Sequence, residues 1–137
     1  MSSRRDLLRT GHSERDIEQG VRTRSLIRLR RDRYISHSEW QGLWSEGRHL
    51  VRVIAADQNC DGAVFSGPSA AVLHGLPLYR HSPTQVHGVI LSRRHGRSRA
   101  DIAWHNVPVP ASDIVEIDGI RCTSLERTVL DVCRMLP

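Results

Sequence analysis

Arg15, Gln19, Arg22 and Thr23 recur at helical spacing within the stretch Ser13-Glu14-Arg15-Asp16-Ile17-Glu18-Gln19-Gly20-Val21-Arg22-Thr23. Their side chains suit base-pair edges, since arginine fits guanine bidentately and glutamine fits adenine. Directly after them come Arg24, Arg28, Arg30, Arg31 and Arg33, a run of cations in which Asp32 is the only acid. Cations so placed contact phosphates, which position a protein on a duplex without reading its sequence. All of the net charge of +5 lies in residues 1–36, where ten arginines face five carboxylates; residues 37–137 carry ten of each. A polyanionic partner is thereby assigned to the amino-terminal end. Leu26, Ile27, Leu29, Tyr34 and Ile35 interrupt the run, and disordered basic tails seldom carry so many large apolar residues.

The elements that must hold these side chains are legible nearby. Ser3 with Asp6, and Ser13 with Asp16, are serine caps followed three residues later by a carboxylate, so two short helices start at those points with Gly11 between them. Two helices joined by a glycine-containing turn suggest a helix-turn-helix. In the second helix Ile17, Gly20 and Val21 are expected to face inward. After Ser25 the period becomes two: Ile27 and Leu29 alternate with Arg28 and Arg30, and Tyr34 and Ile35 follow a turn at Arg31-Asp32-Arg33. That pattern predicts a hairpin with one apolar and one arginine face, the wing of a winged helix.

Beyond residue 37 the pattern changes. A capped segment is expected from Ser38, a buried helix over 48–56, a strand at Ala63-Val64-Phe65, and a helix over 69–74 stopped by Gly75 and Pro77. Strands are expected at 86–91 and 102–105, separated by a loop carrying Arg93, Arg94, Arg97 and Arg99 that reads either as a solvated hairpin loop or as a second contact to nucleic acid or to an acidic partner protein. A second hairpin turns at Asp118-Gly119, and a last helix is capped by Thr123 with Glu126 and lined by Leu125, Val129, Val132, Cys133 and Leu136. The fold class is therefore α+β: a small winged helix-turn-helix over 1–37 and a compact mixed α/β domain over 38–137.

Several chemistries are excluded. All twenty basic residues are arginine, so there is no phosphate-loop lysine, Schiff-base lysine or lysine-dependent nuclease site. The eight histidines form no HExxH and no metal-spaced set with cysteine, and no GxSxG elbow is present. No cofactor, metal or catalytic residue is expected; His74 should cap carbonyls or pack. Cys60, Cys122 and Cys133 read as reduced packing thiols. No apolar stretch reaches membrane-spanning length and no signal-peptide core follows Met1, so a cytoplasmic protein is expected.

Three segments carry a resemblance: Leu26-Ile27-Arg28-Leu29-Arg30-Arg31-Asp32-Arg33-Tyr34, then Ala63-Val64-Phe65-Ser66-Gly67-Pro68-Ser69-Ala70-Ala71-Val72-Leu73-His74-Gly75-Leu76-Pro77, and the tail from Val115-Glu116-Ile117-Asp118-Gly119 to Leu130-Asp131. Their order and wording resemble the AbiEi family antitoxins of type IV toxin-antitoxin systems, in the form common among actinobacteria. The resemblance implies an amino-terminal winged helix that binds operator DNA and represses its own operon. It also implies a following domain with antitoxin activity against a nucleotidyltransferase-like toxin, exerted without a stable complex. Relatives tend to place glycine in the wing turn, where this chain has Arg31-Asp32, with Asp32 the better suited to a left-handed position. A homodimer on inverted repeats is compatible with such a fold, although no residue pattern names a dimer face. Two other readings stand beside this one: a protein-interaction module over 46–137 with an incidental basic end, and an enzyme remnant of the nuclease-bearing relatives.

Overall fold

The computed structural model describes residues 1–30, 32–60, 62–78, 85–91 and 101–135. The fold is α+β, and the chain divides into two compact units, Met1–Trp44 and Ser45–Pro137. The first unit runs past residue 37 because helix α3 (His37–Gln41) packs on both strands of the preceding hairpin. Its cap is Ser36, whose hydroxyl accepts from the Glu39 amide, two residues earlier than the expected Ser38.

In the first unit, helices α1 (Arg4–Arg9) and α2 (Glu14–Thr23) both open with complete capping boxes. Ser3 and Ser13 accept from the amides of Asp6 and Asp16, whose carboxylates accept from the serine amides in return. Gly11 turns between the helices at φ +100, a conformation that disfavours any side chain. Strands β1 (Leu26–Arg30) and β2 (Arg33–Ser36) form the antiparallel hairpin, with a register shift between Arg28 and Arg30. Asp32 sits in its turn at φ 63, as its short polar side chain allows. Ser2 adds a bridge to the far side of β2 through two hydrogen bonds with Tyr34, of 2.7 and 2.8 Å. Leu7, Ile17 and Tyr34, with Leu26 against them, form the small core. Gly20 admits Leu26: a Cβ there would stand 2.9 Å from Leu26 Cδ1.

Two expectations fail in this unit. Val21 is exposed, and the buried side of α2 is formed by Ile17 and Gly20. The hairpin does not separate an apolar face from an arginine face. Cross-strand partners share a face, and Arg28 opposes Tyr34 while Ile27 opposes Ile35. Arg28 thus projects on the side of Leu26 and Tyr34, and the two isoleucines lie on the other.

The second unit is built on a five-stranded sheet of order β5-β4-β3-β7-β6, comprising β3 (Ala63–Phe65), β4 (Val86–Ile90), β5 (Ile102–Trp104), β6 (Ile114–Ile117) and β7 (Ile120–Thr123). Strand β3 is central and wholly buried, as its apolar run implies. The β6–β7 hairpin turns through Asp118 and Gly119, both at positive φ, as the aspartate-glycine pair dictates. Helices α4 (Ser45–Asn59) and α6 (Leu125–Met135) each pack against the short α5 (Gly67–Leu73), whose residues 67–72 are all buried. Strands β4 and β5 pair in parallel, so no hairpin joins them; parallel neighbours require a crossover. The arginine loop 93–99 and Leu136 lie outside the described residues.

The last helix departs from expectation. Ser124, not Thr123, caps it by accepting from the Arg127 amide; Thr123 is buried and bonds to the Thr128 hydroxyl at 2.7 Å. Thr128 is the fully buried position of α6, whereas Leu125, Val129 and Cys133 are exposed.

Candidate nucleic-acid interface

The exposed ridge of α2 is assembled by its own helical period. Ile17 and Gly20 are drawn into the core, which leaves Arg15, Glu18, Gln19 and Arg22, at i, i+3, i+4 and i+7, on the opposite side in water. Glu18, absent from the expected set, stands at the centre of that ridge and would accept from a cytosine amino group. Its spacing from Arg15 and Arg22 is the signal that could have revealed it. Thr23 lies off the ridge and its hydroxyl donates to the Gln19 carbonyl at 2.9 Å, which leaves it only as an acceptor.

The expected phosphate-contacting arginines divide into two groups. Among the described residues, Arg15, Arg22, Arg24 and Arg28 have no ion-pair or side-chain hydrogen-bond partner and are exposed. Arg24 caps α2 at φ 65, a left-handed conformation that costs about 1–2 kcal/mol for a residue with a Cβ. Arg33, by contrast, is turned back on its own turn: its Nη1 donates to the Asp32 carbonyl at 2.7 Å and lies 3.4 Å from the Asp32 carboxylate. Its side chain is 17% exposed and its Nε is buried without a partner. Arg30 stands opposite Arg33 in register, is partly buried and has a partner. Arg31 lies outside the described residues.

Arg4, Arg5 and Arg9 were not singled out from the sequence. Arg4 is held by the Glu14 carboxylate and by the Tyr34 hydroxyl at 3.3 Å, and its amide donates to Asp32 at 2.8 Å. With Arg28, Asp32 and Tyr34 it borders an open hollow of about 510 Å³. Arg5 and Arg9, one helical turn apart on α1, are exposed and have no ion-pair partner among the described residues. A larger cleft of about 670 Å³ is bordered by Asp16, Gln19, Thr23, Tyr34 and Glu39 with no arginine on its walls, so it does not extend the basic surface. The Asp6 and Asp16 carboxyls are held below the usual range by the serine amides and then the serine hydroxyls that close their boxes.

The second unit gathers its polar groups internally. His49 Nε2 lies 2.9 Å from Ser69 Oγ, which also accepts from the His87 amide at 2.8 Å. A serine and a histidine at this distance could form a nucleophilic pair. Both side chains are enclosed, however, with Ser69 0% and His49 1% exposed. The separation of twenty residues between them hid the pair from sequence inspection. His74 Nε2 donates to the Thr123 carbonyl at 2.8 Å, tying α5 to β7 as a packing histidine should. The His87 and His105 rings stack at 5.2 Å. Burial pushes the Cys122 thiol up to about 11, so it stays protonated. Among the described residues no group of three His, Cys, Asp or Glu could hold a metal, and no helix is long and apolar enough to cross a membrane.

Fold and surface together define a two-unit α+β protein with a cationic helical ridge on its first unit. No protein-family model matches the chain, and no curated protein matches it.

Proposed function

We propose that the chain is a sequence-specific DNA-binding repressor of the antitoxin type, acting in the cytoplasm on the operator of its own operon. The first unit is the winged helix-turn-helix, with α2 entering the major groove and the β1–β2 hairpin as its wing. The cognate toxin is a nucleotidyltransferase-like enzyme countered without a stable complex, as the family resemblance implies.

The observation that carries the reading is the α2 ridge. Arg15 and Arg22, unpaired within the described chain, flank Gln19 and Glu18 on a helix whose opposite side is anchored by Ile17. Such a ridge presents donors and acceptors together, as base edges require. Arg24 and Arg28 supply the phosphate contacts, while Arg33 is engaged by Asp32 of its own turn.

The test is fluorescence anisotropy of the full chain on its own promoter duplex and on a scrambled duplex, over a range of salt. Replacing Arg15 or Arg22 with Ala should weaken the promoter complex by about 1–3 kcal/mol each and leave the scrambled duplex less affected. Arg28→Ala should weaken both alike and reduce the salt slope by about one. Equal affinity for the two duplexes, or indifference to Arg15 and Arg22, would sink the proposal.

A further inference from the structure

Helix α6 exposes a seam that the other described residues leave uncovered. Glu126, Val129, Leu130 and Cys133 fall at i, i+3, i+4 and i+7 on its outer side, with Leu125 and Arg134 at the margins, and all six are exposed. The apolar members are far from grazing exposure: Leu125 is 46% accessible, Val129 45% and Leu130 53%. Single exposed leucines are ordinary on a protein surface, but a contiguous apolar stripe marks a contact face. The inner side of α6 is held by Thr128 and Val132, so turning the helix to hide the stripe would break the Thr123–Thr128 hydrogen bond.

The charges on that seam select the occupant. Glu126 and Arg134 have no ion-pair partner among the described residues. They are eight residues apart, about 12 Å along the axis, too far to pair with each other. They are also equidistant from Leu130. A two-fold axis through Leu130 would therefore bring Glu126 of each copy to Arg134 of the other, with Leu130 on Leu130 and Val129 beside it. Parallel packing would instead oppose like charges. A nucleic acid fits an apolar stripe with a glutamate on it poorly. A self-complementary patch is what an isologous contact requires.

We propose that α6 packs antiparallel against α6 of a second copy, making a symmetric homodimer through the second unit. The helix offers only about three turns, so the contact is small and the dimer dissociates on dilution. This inference concerns a different unit from the DNA-reading ridge and does not depend on it.

Sedimentation equilibrium of the full chain, without DNA, tests it. The wild-type should pass from the 15.5 kDa protomer to twice that mass as concentration rises through the micromolar range, up to about 100 µM. Leu130→Asp, at an exposed position, should remain a monomer throughout with an unchanged far-ultraviolet spectrum. Glu126→Arg and Arg134→Glu should each weaken the dimer tenfold or more, and the two together should restore it. Cys133 supplies a second readout. Antiparallel packing about Leu130 places the two thiols on the order of 12 Å apart, so a bis-maleimide of that span should link wild-type copies but not Cys133→Ser. A wild-type chain that stays monomeric, a dimer indifferent to Leu130→Asp, or a double exchange that fails to restore association would each overturn the proposal.

Discussion

The two units use the same residue types in opposite places. In Met1–Trp44, Ser3, Ser13 and Ser36 stand at helix starts and the arginines of α2 stand in water, above a core of Leu7, Ile17 and Tyr34. In Ser45–Pro137, Ser69, Thr123, Thr128 and His49 are buried and bonded to one another inside a much larger apolar cluster. A small unit has little apolar surface to bury, so its end caps bear a large share of its integrity. A larger unit can enclose polar groups provided each finds a partner, and those partners then specify the packing.

If that contrast holds, the largest loss should come from the interior of the second unit. Ser69→Ala removes the partner of His49 Nε2 and the acceptor of the His87 amide; unsatisfied buried groups of this kind should lower stability by about 2–4 kcal/mol in urea unfolding. A loss below that of an ordinary surface change would mean that the pair is not a core fastener. In the first unit, Ser13→Ala should cost about 1 kcal/mol through the open end of α2. The same change should loosen the α2 ridge, detectable as faster amide exchange across residues 14–20.

Arg24 separates stability from binding. Arg24→Gly relieves a left-handed arginine and should stabilise the first unit by about 0.5–1 kcal/mol while weakening DNA binding, measured by thermal unfolding and anisotropy on one sample. Should affinity survive intact, the arginine is not kept for its charge. The salt dependence discriminates further. Under the proposed DNA binding, Arg24 and Arg28 alone should give a slope of about −2, and Arg5 and Arg9 should raise its magnitude to about 4 if α1 also lies on the backbone. Arg5→Ala with Arg9→Ala decides between the two values.

Titration should divide the units as well. Asp6 and Asp16 have depressed folded pKa values, so their contribution is present above the ordinary carboxylate range and is lost as pH falls below it. Asp16→Asn should flatten that acid limb. Cys122 shifts the other way: its folded value of about 11 exceeds the ordinary 9.0, so its contribution is complete below about 9 and fades as pH rises toward about 11. Thiol labelling at neutral pH should therefore modify exposed Cys133 first and buried Cys122 last.

Local chemistry was legible in the chain wherever one residue decides a conformation. Serine with a carboxylate three residues on marked α1 and α2, and Asp118-Gly119 marked a hairpin to the residue. The candidate site was legible only in part. Helical period alone placed Arg15, Gln19 and Arg22 on one ridge, but it gave no reason to omit Glu18 or to include Thr23. The faces of the β1–β2 hairpin were not legible because alternation along one strand does not give the cross-strand register, nor the shift between Arg28 and Arg30, that decides which residues share a face. Arg33 looked free because Asp32, its neighbour, was counted as one acid in a basic run rather than as the turn residue that would hold it.

The sequence alone determined the capped starts of α1 and α2, the α+β class and the concentration of positive charge toward the amino terminus, since such caps, turns and charge counts act over a few residues. Tertiary structure decided the rest. It set β4 beside β5 in parallel, joined His49 to Ser69 across twenty residues, buried Thr128 in place of Leu125, and divided the arginines into those engaged and those free. These outcomes depend on which segments reach one another when the core closes, and burial free energy depends on the apolar area removed from water rather than on order along the chain.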